Sequence, residues 1–459
     1  MLKVAAHTLG CKVNQCDTEA LLSGLKGMDC VIGEFNQPAD IYIINTCTVT
    51  HVSDKKSRQM IRRARKKNPA AFVTVCGCMP KNKPLTPDAL GVDFIFDARR
   101  PVDFYVKVRE FANASNPHGF IASFESEPGR VSDSPDNCRP ARTRAFVKIQ
   151  DGCDRFCSYC IVPHVRGTPA SRPMAEILSE VQSLVRNGAP EIVLTGIQVA
   201  TYGDDTSVAR AREIAGQVCD DEAVCDDANW LSLRRESLTS LIKEVSKLDG
   251  LRRLRLSSID SWAVNDDFLD TVTKSATLCS HFHLSLQSGC DTTLKAMNRR
   301  YTSAEYAQAA QALRDLRPDT ALTTDIIVGF PGESDSDFQK SLDFVREMKF
   351  ARIHVFEYSP RIGTPAADFP GQISPAIKSA RGKTMRDLAT ELQNNFLKTQ
   401  IGKTLLVLFE TQPKPNHYLG HSENYCPVEV MSNTNLHRTI QKVKITENTS
   451  EVLKGEVIS

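Results

Sequence analysis

The chain has 459 residues, of which 41% are hydrophobic, and a formal net charge of +2. Because this length is too great for one compact core, we expect two or three domains. The sequence has no apolar run of about 18 to 20 residues and no signal-peptide layout, which predicts a cytosolic protein. The near-neutral charge excludes nucleic-acid binding through bulk charge, so an RNA partner would depend on local basic patches.

The first hundred residues alternate between strand and helix patterns. Apolar strands are predicted at 3–9, 41–44 and 72–75, with helices from Asp17 onward and over 52–67. This alternation predicts an α/β domain with a doubly wound parallel sheet, over residues 1–112.

Three cysteines follow the three predicted strands. Cys11, Cys47 and Cys78 each stand at a strand end, and the carboxyl ends of parallel strands share one edge of the sheet. The three thiols could therefore meet, although free cysteines are also common as inert buried residues. Cys76 is an alternative to Cys78, but it still lies inside the apolar run.

A second series of β/α units follows a stretch rich in Ser, Pro and Gly at 113–139, which reads as a linker. Strand patterns begin near residues 145, 191, 251, 281, 321 and 353, separated by helical stretches. Six units favour a partial β/α barrel over 140–372, rather than the eight units of a closed barrel. Asp- and Ala-rich residues at 204–229 read as a surface insertion.

The loop after the first strand of this series carries a tight cysteine cluster. Cys153, Cys157 and Cys160 have the spacing C-x3-C-x2-C. Three thiolates around one point, without a fourth ligand nearby, suit a cubane iron-sulfur cluster with one open iron. A structural zinc site is the alternative, but it prefers four closed ligands. Fifteen cysteines, an odd number, also favour metal ligands over a disulfide framework in a reducing compartment.

Three runs resemble the methylthiotransferases of the radical S-adenosylmethionine enzymes over nearly the whole chain. They are Gln150-Asp-Gly-Cys-Asp-Arg-Phe-Cys-Ser-Tyr-Cys-Ile-Val-Pro-His-Val-Arg-Gly, Thr8-Leu-Gly-Cys-Lys-Val-Asn-Gln and Asn45-Thr-Cys-Thr-Val-Thr. Within the family they are most similar to the branch that modifies N6-threonylcarbamoyladenosine at position 37 of tRNA. The resemblance implies two 4Fe-4S clusters, S-adenosylmethionine as cofactor, and an open six-strand barrel.

Residue roles follow from this resemblance. It implies that Cys153, Cys157 and Cys160 are the catalytic cluster ligands, and that Cys11, Cys47 and Cys78 hold the second cluster, because Gly77-Cys78 matches the family's glycine-cysteine pair. Loops at the carboxyl ends of the barrel strands would bind S-adenosylmethionine, although each of their residues could equally form a local turn or cap. The candidates are Gly196, Ser257, Ser258, Gln287, Asp325 and Gly329.

The last hundred residues predict a helix and then short strands. A connecting helix over 373–400 precedes alternating segments at 401–459, which fit a small antiparallel β-barrel. The position resembles the TRAM module that grips RNA in this family. Acidic and basic residues are nearly balanced here, so the RNA footprint of this domain is weak.

Basic segments elsewhere offer RNA contacts. The predicted helix at 52–67 has almost no acidic residues, which favours RNA binding, although a run of charges is often only a solvated helix face. The candidate contacts are Lys55, Lys56, Arg58, Arg62, Arg63, Arg299 and Arg300.

The sequence therefore predicts a tRNA methylthiotransferase with an electron donor and a sulfur source as further partners. Two alternatives remain within the same chemistry, a tRNA carrying isopentenyladenosine or an aspartate of a ribosomal protein. A third alternative is an electron-transfer module without turnover. The oligomeric state and the identity of the donors do not follow from the sequence.

Overall fold

The computed structural model describes residues 1–26, 28, 30–82, 85–115, 142–205 and 237–458. The chain divides into two compact units. Unit 1 comprises residues 1–137, 152–168 and 359–367, and unit 2 comprises 138–151, 169–358 and 368–459. Most of the predicted linker and most of the acidic insertion lie outside the described residues.

Unit 1 is built on a five-stranded parallel sheet. Its strands are β1 (Leu2–Thr8), β2 (Cys30–Gly33), β3 (Ile41–Thr46), β4 (Phe72–Gly77) and β5 (Phe94–Ile95). Its helices are α1 (Lys12–Lys26), α2 (His51–Lys67), α3 (Met79–Asn82), α4 (Pro87–Leu90), α5 (Val102–Ser115) and α6 (Val162–Arg166). The predicted parallel sheet is confirmed, with two short strands, β2 and β5, that the sequence pattern did not reveal.

Alternate residues of the central strand β3 point to opposite faces of the sheet, as the period of a strand requires. Tyr42 and Ile44 belong to a core that includes Ile61 of α2, whereas Ile41 and Ile43 belong to a core with α1 and α5. All four β3 side chains are fully buried. Both faces of the sheet are therefore covered by helices, which explains why the strand reads as a continuous apolar run.

The strand order is β2-β1-β3-β4-β5, and every pairing is parallel. In this order the chain direction across the sheet reverses between β1 and β3. Open parallel sheets bind ligands at such a switch point, outside the carboxyl ends of the strands. The end of β1 and the end of β3 flank that position in unit 1.

Unit 2 contains six parallel strands that alternate with helices. They are β6 (Arg144–Lys148), β9 (Glu191–Thr195), β10 (Leu254–Leu256), β11 (His281–His283), β12 (Ala321–Val328) and β13 (Arg352–Glu357). Two further strands of two residues each, β7 (Gln150–Asp151) and β8 (Ala170–Ser171), pair in the antiparallel direction. The helices are α7 (Met174–Arg186), α8 (Leu238–Ser246), α9 (Asp266–Lys274), α10 (Asp291–Ala296), α11 (Ser303–Leu316), α12 (Asp335–Met348) and α13 (Pro375–Lys398).

These six strands form the predicted partial barrel. Ladders join β6-β9-β10 and β11-β12-β13, and the two ladders are linked by parallel bridges between Leu254 and Leu278 and between Ile259 and Leu284. No pairing closes β13 onto β6 among the described residues. The barrel is therefore open on one side, as the resemblance implied.

The C-terminal strands form a closed five-stranded barrel. They are β14 (Thr404–Lys414), β15 (His417–Ser422), β16 (Pro427–Met431), β17 (Ile440–Asn448) and β18 (Leu453–Ile458), in the order β14-β15-β16-β18-β17. The small barrel is confirmed, with one refinement: β16 and β18 pair in parallel, while the other pairings are antiparallel. A five-stranded barrel of this Greek-key kind is the architecture of the OB-fold.

A turn of the small barrel inserts at the amino-terminal ends of the β/α barrel strands. Tyr425, with φ of +65°, stacks on His281 of β11 at a ring distance of 4.7 Å and accepts a 2.7 Å hydrogen bond from Arg144 of β6. Arg255 donates to the backbone carbonyl of Glu423 at 3.0 Å. The turn of the small barrel therefore packs against the amino-terminal ends of the strands, whereas β/α barrels bind their ligands at the carboxyl ends.

A buried ion pair anchors this turn. Arg255 is 2% exposed and forms a two-pronged bond to Glu191, at 2.7 and 3.2 Å. Burial acts to raise the pKa of Glu191, but Arg255, together with Arg253 and Arg144, outweighs burial and lowers it.

In the described residues no helix is both long and apolar enough to cross a membrane.

We predict that Arg255→Met lowers the stability of unit 2 by about 1.5 to 3 kcal/mol, because Glu191 loses both hydrogen bonds from Arg255 and keeps the weaker pair with Arg253 at 3.5 Å. Urea unfolding followed by circular dichroism measures this as a lower midpoint. The matched control is Arg346→Met, whose pair with Asp343 is 57% and 59% exposed and should contribute less than about 1 kcal/mol.

The loss of stability caused by Arg255→Met should also depend on pH. The pKa of Glu191 is lowered by folding, so the pair stabilises above about pH 4.3 and loses its effect as the pH falls further. The difference between wild type and Arg255→Met should therefore shrink in acid. A deficit of the same size at pH 7 and at pH 3 would contradict the ion-pair explanation.

Candidate metal and cofactor sites

The three strand ends of unit 1 are tied together by backbone hydrogen bonds. The amide of Leu9, after β1, donates to the carbonyl of Asn45 on β3 at 2.8 Å. The amide of Cys78, after β4, donates to the carbonyl of Thr46 at 3.0 Å. Because β3 lies between the other two strands, the residues after all three strands emerge at one edge.

Asn14 on α1 fixes this edge from one side. Its side-chain nitrogen donates to the carbonyl of Leu9 at 2.7 Å and to that of Thr46 at 3.0 Å, and its backbone carbonyl accepts from the side-chain amide of Asn45 at 2.9 Å. A buried asparagine that bonds two strand ends leaves few of its donors and acceptors unused. The edge is thus a preformed backbone frame and not a loose set of loops.

Cys11, Cys47 and Cys78 lie close together on this frame. A side chain added at Gly10 would come within 3.0 Å of the sulfur of Cys47, so the residue before Cys11 contacts Cys47 directly. Burial raises the pKa of Cys78 to about 11, and the charges of both Cys11 and Cys47 act on that thiol. Cys47 and Cys78 are each 6% exposed, and Cys11 is exposed.

Cys76 occupies a different environment. It is fully buried in the core that contains Val4, Leu21 and Ile43, on the face covered by α1 and α5. Cys78, in contrast, packs against Ile161 of the 152–168 segment. Between them Gly77 has φ of +91°, and a side chain there would lie 2.3 Å from the carbonyl of Thr46. This glycine lets the chain turn so that Cys78 leaves the core.

The segment 152–168 belongs to unit 1 and holds Cys153, Cys157 and Cys160 in a compact loop. The amide of Cys160 donates to the carbonyl of Cys157 at 2.9 Å, and the amide of Cys153 donates to that of Gly167 at 3.0 Å. Gly152 has φ of +75°, and a side chain there would lie 2.0 Å from the carbonyl of Thr168. The loop is therefore closed at its base by close backbone contact.

The number of thiols in each triplet discriminates between metals. Each triplet supplies three cysteine ligands, whereas a structural zinc site is closed by four. Both triplets would therefore suit a cubane 4Fe-4S cluster with one open iron better than a structural zinc ion.

Three of the six residues predicted to bind S-adenosylmethionine carry polar groups that are available to a ligand at the carboxyl ends of the barrel strands. Ser257 is buried, and its hydroxyl has no hydrogen-bond partner within the described residues. Gln287 is half-buried, with φ of +74°, and none of the hydrogen bonds of the described chain uses its side-chain amide. Asp325 is also half-buried. These groups could bond a ligand's hydroxyl, amino or carboxylate groups.

The other three predicted contacts have local neighbours. Gly196 approaches the carbonyl of Gln150 so closely that a side chain would lie 3.0 Å away. Gly329 has φ of +69°, and its amide donates to Glu333 at 2.7 Å, as expected of a turn glycine. Ser258 is exposed.

Sequence reasoning missed two histidines beside Asp325. His283, Asp325 and His354 lie on three adjacent parallel strands, and their ligand atoms are all within 4.8 Å of one another. The register pairs His283 with Thr323 and Asp325 with His354. Alternation along the three strands was visible in the sequence, but the register that aligns the side chains was not.

A polar chain across the strand ends was also missed. The side chain of Gln198, after β9, donates a hydrogen bond to the carboxylate of Asp260, after β10. The same carboxylate also accepts a hydrogen bond from the guanidinium of Arg299. Arg299 also bonds the carbonyl of Ser285 and the hydroxyl of Tyr301, and its side chain is 9% exposed. Arg299 is therefore a structural residue of the barrel and not a surface cation, whereas Arg300 is exposed.

Helix α2 presents an exposed cationic surface. It begins at the N-cap Thr50, three residues after Cys47, and its only acidic residue, Asp54, bonds Arg361. Arg65 pairs with Asp93 at 2.8 Å. The remaining cations are exposed and form no ion pair with any described residue: Lys55, Lys56, Arg58, Arg62, Arg63, Lys66 and Lys67.

Comparisons with known proteins agree with this architecture. Residues 147–345 match the radical SAM superfamily, and residues 3–96 match a family described as uncharacterized protein family UPF0004. A radical S-adenosylmethionine methyltransferase from Kitasatospora setae, TsrM, has a similar fold, with a TM-score of 0.52 and 14% identity over 80% of this chain and 77% of that one. The fold and the cysteine loop thus define a radical SAM protein.

Curated relatives narrow the class. The chain is 35% identical to the threonylcarbamoyladenosine tRNA methylthiotransferase MtaB of Bacillus subtilis, over 97% of this chain and 94% of the relative. The protein of that name from Thermotoga maritima is 33% identical, over 94% and 92%. A tRNA-2-methylthio-N(6)-dimethylallyladenosine synthase from Alkaliphilus oremlandii is 32% identical, over 99% and 93%. The chain belongs to the methylthiotransferase family of radical SAM enzymes, whose cofactors are 4Fe-4S clusters and S-adenosylmethionine.

Proposed function

We propose that this enzyme adds a methylthio group to C2 of N6-threonylcarbamoyladenosine at position 37 of tRNA. The observation that supports this most is the presence of two cysteine triplets in one compact unit, one at the sheet edge and one on the 152–168 loop. The two most similar relatives named above act on threonylcarbamoyladenosine according to their names. Both are covered over more than nine-tenths of their length.

In this proposal Cys153, Cys157 and Cys160 hold the catalytic 4Fe-4S cluster, and Cys11, Cys47 and Cys78 hold the auxiliary one. A 4Fe-4S cluster held by these three cysteines of the 152–168 loop would supply the electron for reductive cleavage of S-adenosylmethionine. An aromatic C–H bond has no acidic proton for a general base, which is why a radical is required at C2. The auxiliary triplet serves the delivery of sulfur.

Side chains at the carboxyl ends of the barrel strands hold S-adenosylmethionine. The hydroxyl of Ser257 and the amide of Gln287 are free to bond its ribose, amino or carboxylate groups. Asp325, oriented beside His283 at 3.3 Å, accepts from a ribose hydroxyl or an amino group. Gly196 and Gly329 shape the loops, and Ser258 lies at the rim.

The tRNA contacts unit 1 through α2 and the residues around its N-terminus. The unpaired cations of α2 are suited to phosphates. Four apolar side chains on segments of the same unit are exposed: Val49, Val52, Phe156 and Ile362, at 50%, 62%, 55% and 67%. The aromatic ring of Phe156 is suited to stacking on an unstacked base. Arg361 bonds Thr48, which joins the last of these segments to the Cys47 loop. The OB-like barrel and Arg300 add further RNA contacts.

Two partners beyond tRNA follow from the chemistry. Reductive cleavage consumes an electron, so a low-potential electron donor is needed. The product gains a sulfur atom that the methyl group of S-adenosylmethionine does not carry, so a sulfur source is needed as well. Because the proposed substrate is tRNA and the proposed clusters must be reduced, we expect the reaction to take place in the cytoplasm.

We predict that Cys78→Ala loses about half of the iron and sulfide of reconstituted protein, because one of two clusters loses a ligand. Cys76→Ala is the matched control, since its thiol lies in the apolar core and its loss should cost stability without loss of iron. Iron and sulfide analysis measures both. Retention of both clusters in Cys78→Ala would remove it from the ligand set.

The substrate is tested by nucleoside analysis. Deletion of the gene should remove 2-methylthio-threonylcarbamoyladenosine from digested tRNA and leave its isopentenyladenosine counterpart unchanged, as measured by mass spectrometry. The reverse result favours the alternative suggested by the 32% identical relative. If reduced protein forms no 5′-deoxyadenosine from S-adenosylmethionine, the enzyme proposal itself fails.

We predict that the double variant Arg58→Ala/Arg62→Ala raises the KM for tRNA. The slope of the logarithm of the tRNA binding constant against the logarithm of the salt concentration should become less steep, by about 0.7 to 0.9 for each lost phosphate contact. Formation of 5′-deoxyadenosine without RNA should stay unchanged. Lys383→Ala is the control, because Lys383 is exposed on α13 and pairs with Asp387. An unchanged salt slope would show that α2 is only a solvated face.

A further inference from the structure

Arg166 links the two cysteine triplets through one buried guanidinium. It is the last residue of α6, the short helix that follows Cys160, and it is 5% exposed. Its Nη2 atom donates to Oδ1 of Asn14 and lies 3.3 Å from Oδ2 of Asp17, both on α1. Asn14 is the residue that fixes the ends of β1 and β3.

The helix that carries Arg166 also packs against a proposed ligand of the auxiliary cluster. Ile161, at the N-cap of α6, and Val165, the residue before Arg166, both pack against Cys78. Asn14, which Arg166 bonds, also donates to the carbonyl of Thr46, and that carbonyl accepts from the amide of Cys78. Burial raises the pKa of the Cys78 thiol, and the nearby Arg166 guanidinium acts in the opposite direction. A guanidinium carries several donors in a fixed fork, so it can bond an amide oxygen, a carboxylate and a sulfur at the same time.

We propose that Arg166 donates a hydrogen bond to the Cys78 thiolate and thereby makes the auxiliary cluster easier to reduce. Reduction adds one negative charge to the cluster. A cation and an N–H donor at a ligand sulfur stabilise that added charge, and hydrogen bonds to the sulfurs are among the factors that set cluster potentials. This inference rests on the proposed function, in which Cys78 is a ligand of the auxiliary cluster. Arg166 acts on the cluster through that ligand and does not contact the substrate.

Asp17 opposes this effect. Its carboxylate forms an ion pair with Arg166 in which the two side chains are only 6% and 4% exposed, so solvent screens neither charge well. The potential therefore reflects the balance between guanidinium and carboxylate. The variant Asp17→Asn removes the carboxylate charge but keeps a hydrogen-bonding side chain. It should shift the reduction potential of the cluster in one direction, and removal of the Arg166 guanidinium should shift it in the opposite direction.

The alternative is that Arg166 is only a structural link between α6 and α1. Loss of a purely structural link lowers the yield of assembled cluster or the stability of the protein. It does not shift the potential of the clusters that do assemble, and it gives no opposite sign for Asp17→Asn. The reduction potential therefore separates the two explanations.

The test is a redox titration monitored by electron paramagnetic resonance on the full-length protein. Cys153, Cys157 and Cys160 are replaced by Ala so that only the auxiliary cluster gives a signal. Arg166→Met should shift its midpoint potential to more negative values, Arg166→Lys should shift it less, and Asp17→Asn should shift it to more positive values. Arg65→Met, which removes an arginine paired with Asp93 in the same unit, should leave it unchanged.

Unchanged midpoints in all three variants, with iron and sulfide content intact, overturn the proposal. If Arg166→Met fails to assemble its cluster, Arg166→Lys and Asp17→Asn decide: opposite shifts support the tuning role, and equal midpoints overturn it. The titration uses neither tRNA nor S-adenosylmethionine. Its outcome is therefore independent of which nucleoside the enzyme modifies.

Discussion

The hydrogen-bonded edge of the parallel sheet in unit 1 is the constraint on which the proposed chemistry depends. Parallel pairing places the ends of β1, β3 and β4 side by side, and Asn14 bonds the carbonyls of Leu9 and Thr46. A cluster needs three thiolates at fixed separations, and long loops could not hold them at low entropic cost. Here rigid strand ends supply the separations, although the cysteines are far apart in the chain.

The second triplet achieves the same end by a different route. Its three cysteines are near in sequence, so a closed loop suffices, with Gly152 allowing the close approach to the carbonyl of Thr168. This loop belongs to the compact unit of the sheet, and Ile161 packs on Cys78. Both proposed cluster sites therefore lie in one compact unit, in which Arg166 bonds the loop to α1.

Unit 2 distributes its polar groups between two ends. At the amino-terminal ends of the strands, Arg255 bonds Glu191 and lies over the ring of Tyr425. At the carboxyl ends, the hydroxyl of Ser257 has no partner within the described residues. That hydroxyl is therefore available to a bound cofactor, which is the role proposed for Ser257.

The sequence by itself determined the class of fold, the cysteine triplet of the 152–168 loop and the family, because strand periodicity and short ligand spacings are local properties. It also favoured Cys78 over Cys76 from the preceding glycine. Only the tertiary structure decided which distant side chains meet. The bonds of Arg166 to α1, the alignment of His283 with Asp325 and the burial of Arg299 all depend on strand register and packing between segments far apart in the chain. Such contacts leave no period in the sequence, and for this reason they could not be read from it.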